Sequence, residues 1–97
     1  MKISDVTKNQ AVKFMRIDDL TQDDSDLLDI IMPAAKSFII GYTALTAEEL
    51  DEHEDLTIAY LVLIEDMFDN RALTVTSANL NRTTENILSM YAKNHIG

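Results

Sequence analysis

The sequence predicts an all-α fold: a small bundle of about four helices, with a kinked second helix and a long central apolar helix. Three observations predict it. Two glycines and one proline in 97 residues leave too little turn punctuation for a many-stranded sheet. Between Leu27 and Ile39 apolar residues recur at intervals of three and four without a break, which is the period of a helix rather than a strand. The stretch Asp55 to Arg71, DLTIAYLVLIEDMFDNR, is apolar on nearly every side over its first half. In helical register Leu56, Ala59, Tyr60, Leu63, Ile64 and Met67 form one stripe, and Ile58, Leu61 and Val62 lie opposite. A helix that is apolar all round must be covered all round. Two coverings remain open: the rest of the bundle, or other copies of the chain.

Taken in order, Thr7-Lys8-Asn9-Gln10 fits a capping box, with Thr7 accepting from the backbone of Gln10 and Gln10 reaching back. A short helix from about Lys8 to Met15 should follow, burying Ala11, Phe14 and Met15. Ile17 to Gln22 is a connector. Asp23, Asp24, Ser25 and Asp26 offer a cap and place carboxylates in the first turn, where the helix dipole favours them. The second helix should run from about Asp24 to Ile40, with Leu27, Leu28, Ile31, Ala34, Ala35, Phe38 and Ile39 as its inner stripe. Pro33 lacks the N–H that would bond the Asp29 carbonyl and should bend the rod there. The unbroken stripe argues for one kinked helix over two shorter ones. Gly41 is expected at the left-handed C-terminal cap, with Tyr42 packed over the end.

Thr46-Ala47-Glu48-Glu49 is a second capping box and predicts a single turn of helix inside an acidic loop. The central helix should span about Glu54 to Asn70. Ala72 to Ala78 (ALTVTSA) is polar and β-branched, so it should be an extended loop or short strand. A last helix starts near Asn79 or Asn81, with Leu80, Thr84, Ile87, Leu88 and Tyr91 on one face. The predicted core is Leu28, Ile31, Phe38, Tyr60, Leu63, Met67 and Leu88, all within one domain over residues 1–97.

Composition and charge exclude several classes. Hydrophobic residues make up 46% of the chain, which is ordinary for a globular domain. With no cysteine, neither a disulfide scaffold nor a thiolate metal site can form. No run of about 18 apolar residues suggests a membrane span, and no signal-peptide core precedes the first helix. A soluble protein made inside the cell is therefore expected. The net charge is −9, unevenly spread. Residues 1–17 carry four bases against Asp5, residues 18–69 fifteen acids against Lys36 alone, and residues 70–97 three bases against Glu85. An acidic middle argues against nucleic-acid binding there. The layout allows the ends of one subunit to meet the middle of another, or the chain to neutralise itself.

Candidate chemistry is sparse. Glu48, Glu49, Asp51, Glu52, Glu54 and Asp55 put six acids into eight residues, with His53 among them. Hard cations want several oxygen ligands, yet this spacing matches no EF-hand and no glycine makes the tight turn. A solvated loop, or one meeting a basic partner, is the expectation, and the same acids are the candidate interaction or channel surface. His53 and His95 sit beside no nucleophile motif, and no glycine-rich phosphate loop exists. Glu65 and Asp66 are read as surface charge. The chain is therefore expected not to be an enzyme and to carry no cofactor or metal. Asp69-Asn70-Arg71 closes the central helix. Arg71 can bond the orphan carbonyls at that end or form an ion pair with an acid of a neighbouring helix or subunit.

Four segments in this order resemble a known pattern: VTKNQAVKFMRID, DDSDLLDIIMPAAKSFIIGY, the apolar helix ending MFDNR, and a final NILSMY helix. Over about residues 6–92 the chain is similar to the head–tail connector family of tailed bacteriophages, the head-completion or adaptor proteins beneath the portal. The most specific parts are AAKSFIIGY and the aromatic-Asp-Asn-Arg ending at Phe68 to Arg71. Pro33 and the acid-rich 48–55 loop are not expected of every member. The resemblance implies a helical, non-enzymatic subunit that joins copies of itself into a ring of roughly a dozen, as heterologous contacts that close produce. It implies a place at the virion neck, after synthesis in the host cytoplasm. The ring would sit on the portal protein, dock the next neck or tail completion protein, and let DNA pass without sequence-specific binding. An excess of acid could keep that DNA from sticking. The competing reading is a small acidic regulatory module that mimics DNA and binds a basic protein.

Overall fold

The computed structural model describes residues 1–73 and 80–92. Among these, the regular structure is a 3-10 turn at Ile3–Asp5 followed by five α-helices: α1 (Lys8–Met15), α2 (Gln22–Thr43), α3 (Ala47–Leu50), α4 (Glu54–Asp69) and α5 (Arg82–Ser89). The fold is all-helical. The extended segment expected over 72–78 lies, from residue 74 on, outside the described residues.

Both capping boxes form. The Gln10 backbone N–H donates to the Thr7 hydroxyl at 3.2 Å, and the Thr7 N–H donates to the Gln10 side chain at 2.9 Å. Thr46 and Glu49 repeat the exchange at 3.1 and 2.9 Å, so the single turn of α3 stands where two reciprocal bonds support it. The cap of α2 is Thr21, whose hydroxyl accepts from Asp24 N–H at 3.1 Å. Helix α2 therefore begins two residues before the expected Asp24. It also continues through Pro33 and beyond Ile40.

The C-terminal end of α2 corrects the sequence reading. Gly41 is helical, and Ala44 takes the left-handed conformation at φ 60°, its N–H donating to the Ile40 carbonyl at 2.8 Å. The reason is Thr43. Its buried hydroxyl donates to the Ile39 carbonyl at 2.8 Å and accepts from Leu45 N–H at 3.2 Å. That pair of bonds carries the helix two residues past the glycine and turns the chain inward so that Leu45 is buried.

Helix α4 is the hub. It packs against α2, α5, α1 and the 3-10 turn and buries Leu56, Ala59, Tyr60, Leu63, Ile64 and Met67, the stripe expected from its periodicity. Thr57 and Phe68 are buried with them. Of the predicted core, Leu28, Ile31, Tyr60, Leu63, Met67 and Leu88 are buried, but Phe38 is only partly so. Phe38 sits at the margin, its ring centroid 5.8 Å from that of Tyr42 on the next turn. Phe14, also expected inside, is 40% exposed. Helix α1 has only two turns and seats itself through the small side chain of Ala11, which leaves the flanking Phe14 outside.

Helix α5 is shorter than its pattern suggested. Asn81 caps it, accepting from Thr83 N–H at 2.8 Å, and the helix ends at Ser89 with Leu88 and Thr84 buried. The N-terminal segment was the least legible part. Ile3 is buried in the core, and the Thr57 hydroxyl donates to the Met1 carbonyl at 2.7 Å.

Candidate functional site

The acidic segment 48–55 is largely a structural junction. The Asp51 carboxylate accepts from Ser4 N–H at 3.0 Å and from the Ser4 hydroxyl at 2.7 Å. These bonds to Ser4 hold its carboxyl below the ordinary value, with Lys36 and Lys2 helping and the partial burial opposing. Glu54 accepts from the Met1 amino group at 2.9 Å, and that bond with its charge lowers Glu54 as well. Asp55 accepts from the Tyr91 hydroxyl at 2.7 Å to each oxygen, which pushes the tyrosine up, with desolvation and the carboxylate charge adding to it. Tyr91 also lies against the His53 ring, centroids 4.5 Å apart. Glu49 serves the α3 capping box. Glu48 and Glu52 face solvent.

The segment thus ties the N-terminal turn and the end of α5 to the start of α4. A solvated loop, or one meeting a basic partner, is the expectation, and the internal donors found here have a physical cause. Six carboxylates in eight residues repel one another unless donors are brought to them. Here the donors are Met1 and Ser4 of the N-terminal segment and Tyr91 just after α5. No composition signal pointed to Ser4 or Tyr91 as those donors. Among the described residues, no group of three or more His, Asp or Glu could hold a metal ion.

The helix-end cluster is also internal. Arg71 adopts the left-handed conformation at φ 52°. Its N–H donates to the Phe68 carbonyl at 3.2 Å, and the Ala72 N–H donates to the Met67 carbonyl at 2.9 Å, the two bonds of a Schellman motif. Asn70 adds a side-chain bond to the Asp66 carbonyl at 2.8 Å. The Arg71 guanidinium lies 4.8 Å from the Phe68 ring centroid and donates to Asp24 on α2 at 3.0 Å. The ion pair expected of Arg71 is therefore present, its acid belonging to a neighbouring helix of the same chain, while the orphan Phe68 carbonyl is met by the Arg71 backbone and not by its side chain. Asp69 is exposed. Asp66 is partly buried, which raises its carboxyl, and Asp69 nearby raises it further. A second inter-helix tie was not foreseen: Lys8 donates to Ser25 at 2.7 Å and pairs with Asp29 at 2.8 Å.

Several apolar side chains stay exposed, Ile30 at 54% and Met90 at 67% among them, and two regions combine such exposure with charge. The outer stripe of α4 is incompletely covered: Ile58 is 51% exposed and Leu61 and Val62 are half-buried. At the end of α1, Lys13, Phe14 and the capping residue Arg16 are all exposed, and neither cation forms an ion pair among the described residues. No helix among the described residues is long and apolar enough to cross a membrane. Compared with known proteins, the chain matches no family model, no curated protein and no solved structure.

Proposed function

We propose that this protein is a structural assembly subunit of the head–tail connector kind. It would join copies of itself into a ring beneath a phage portal, extend the DNA channel at the virion neck, and dock the next neck or tail component. The observation that carries this reading is the outer face of α4. A small domain that worked alone would gain by placing charge where Ile58, Leu61 and Val62 stand. The resemblance of the four sequence segments to connectors supports the same reading. So does the charge layout, since rings need two different patches that fit each other. In this reading the subunit is a bundle of four principal helices with α2 bent at Pro33, and its work is non-enzymatic. Exposed Glu48 and Glu52 would be channel-facing acids that discourage DNA from binding.

The test is native mass in solution over a wide concentration range. A closed species of roughly a dozen copies is expected, since heterologous contacts that close give rings. The second reading is an acidic module that occupies a basic partner. The exposed run Asp18, Asp19, Asp23 and Asp26 favours it. A monomer at every concentration, with salt-sensitive binding to a basic protein, would move the assignment there.

A further inference from the structure

The unabsorbed features of α1 and α4 differ in kind and in charge. Along α4, residues 54, 58, 61, 62, 65 and 69 share one face at 3.6 residues per turn. That face is apolar in the middle, through Ile58, Leu61 and Val62, and acidic toward its C-terminal end, through half-buried Glu65 and exposed Asp69, while Glu54 at its start is already held by the Met1 amino group. The end of α1 presents the reverse. Phe14 is an apolar side chain at 40% exposure, and Lys13 and Arg16, one residue before it and two after it in the sequence, are exposed as well. Arg16 holds a left-handed backbone at φ 60°, where its N–H and that of Ile17 close the helix onto Lys13 and Val12 at 3.1 and 3.2 Å. An arginine there carries a steric cost that glycine would avoid. By contrast, Lys8 and Arg71 are paired with acids of their own chain, and Lys2 and Lys36 are near enough to Asp51 to help lower its carboxyl.

We infer that the outer face of α4 is the docking surface for the Lys13–Phe14–Arg16 knob of a second copy of this chain. Phe14 packs over Ile58 and Val62, while Arg16 and Lys13 meet Glu65 and its acidic neighbours. Charge complementarity argues for this occupant: the face carries Glu65 and Asp69 beside its apolar centre, and Phe14 is an exposed apolar side chain close in sequence to two bases that form no ion pair among the described residues. The two patches are different surfaces, so the contact joins unlike faces of neighbouring copies. This inference rests on the self-assembly reading above and names the surface through which it acts.

The chain contains no cysteine, which makes a direct test clean. Phe14→Cys and Ile58→Cys variants, carrying tags of different size, are mixed under mild oxidation and the mixed disulfide is quantified. Ile30→Cys, an equally exposed apolar position on α2, is the control partner, and native mass is read on the same samples. Several-fold more mixed disulfide to position 58 than to position 30 is expected. Arg16→Glu should reduce it, and Glu65→Lys in the partner should restore it. Higher-mass species with no preference for position 58 would overturn the surface and leave self-assembly standing. A monomer without mixed disulfide would overturn both.

Discussion

Thr84 is the one described side chain whose buried polar atom has no hydrogen-bond partner. It occupies the third position of α5, so the carbonyl four residues back belongs to Leu80, before the helix begins. The usual helical acceptor for its hydroxyl is therefore misplaced. Thr84→Val keeps the shape and removes the orphan group. It should stabilise the fold by about 1–3 kcal/mol, the cost of leaving such a group unsatisfied, read as a raised urea midpoint at constant slope. Gly41 and Ala44 make a paired case. Gly41 lies inside α2 with nothing within 4 Å of where a Cβ would stand, so Gly41→Ala should add about 1 kcal/mol from helix propensity. Ala44 is the left-handed residue, so Ala44→Gly should relieve strain of about 1 kcal/mol. Thermal melts of the two variants and their double check both, and a loss from Gly41→Ala would mean that its face meets something in the working assembly.

Among the elements, α4 explains why the domain coheres. Its inner stripe is buried on all sides by α1, α2 and α5, and Leu63 sits within it at 1% exposure. Leu63→Ala should cost about 2–5 kcal/mol, as large-to-small core changes do, measured by equilibrium denaturation. A loss well below that range would place Leu63 away from the core. The inner stripe was legible because a 3.6 period is a local property of the chain. Helix α1 was legible in extent but not in orientation. With so few residues, its rotation is set by the surface it meets, and Ala11 fits that surface better than Phe14. The end of α2 was misjudged because glycine marks a stop only where nothing local continues the helix, and the Thr43 hydroxyl does.

Across the whole molecule, carboxylates of the 48–55 segment tie the N-terminal turn and Tyr91 to the start of α4. Asp51 and Glu54 have folded pKa values below their ordinary ones, so the unfolded chain binds protons more readily than the folded one as pH falls. Their contribution is present above the ordinary carboxylate range and lost as pH drops through it toward the lower folded values. Asp66 has the opposite sign, since burial raises it and ionising it as pH rises removes stability. Ser4→Ala should flatten the acid limb of the stability profile, and Asp66→Asn should lift the plateau at neutral pH, both read from denaturation midpoints between pH 3 and 7. A profile unchanged by Ser4→Ala would mean that the Ser4–Asp51 contact does not hold the N-terminal turn. By itself the sequence determined the helical class, both capping boxes, the extent of α1 and the buried stripe of α4, because each depends on residues within a turn or two of one another. Only the tertiary structure decided that the N-terminal turn and Tyr91 dock on the 48–55 acids, that Arg71 reaches Asp24, and that Ile58 and Phe14 remain outside. Those outcomes depend on residues tens of positions apart, whose meeting is fixed by packing and not by any local pattern.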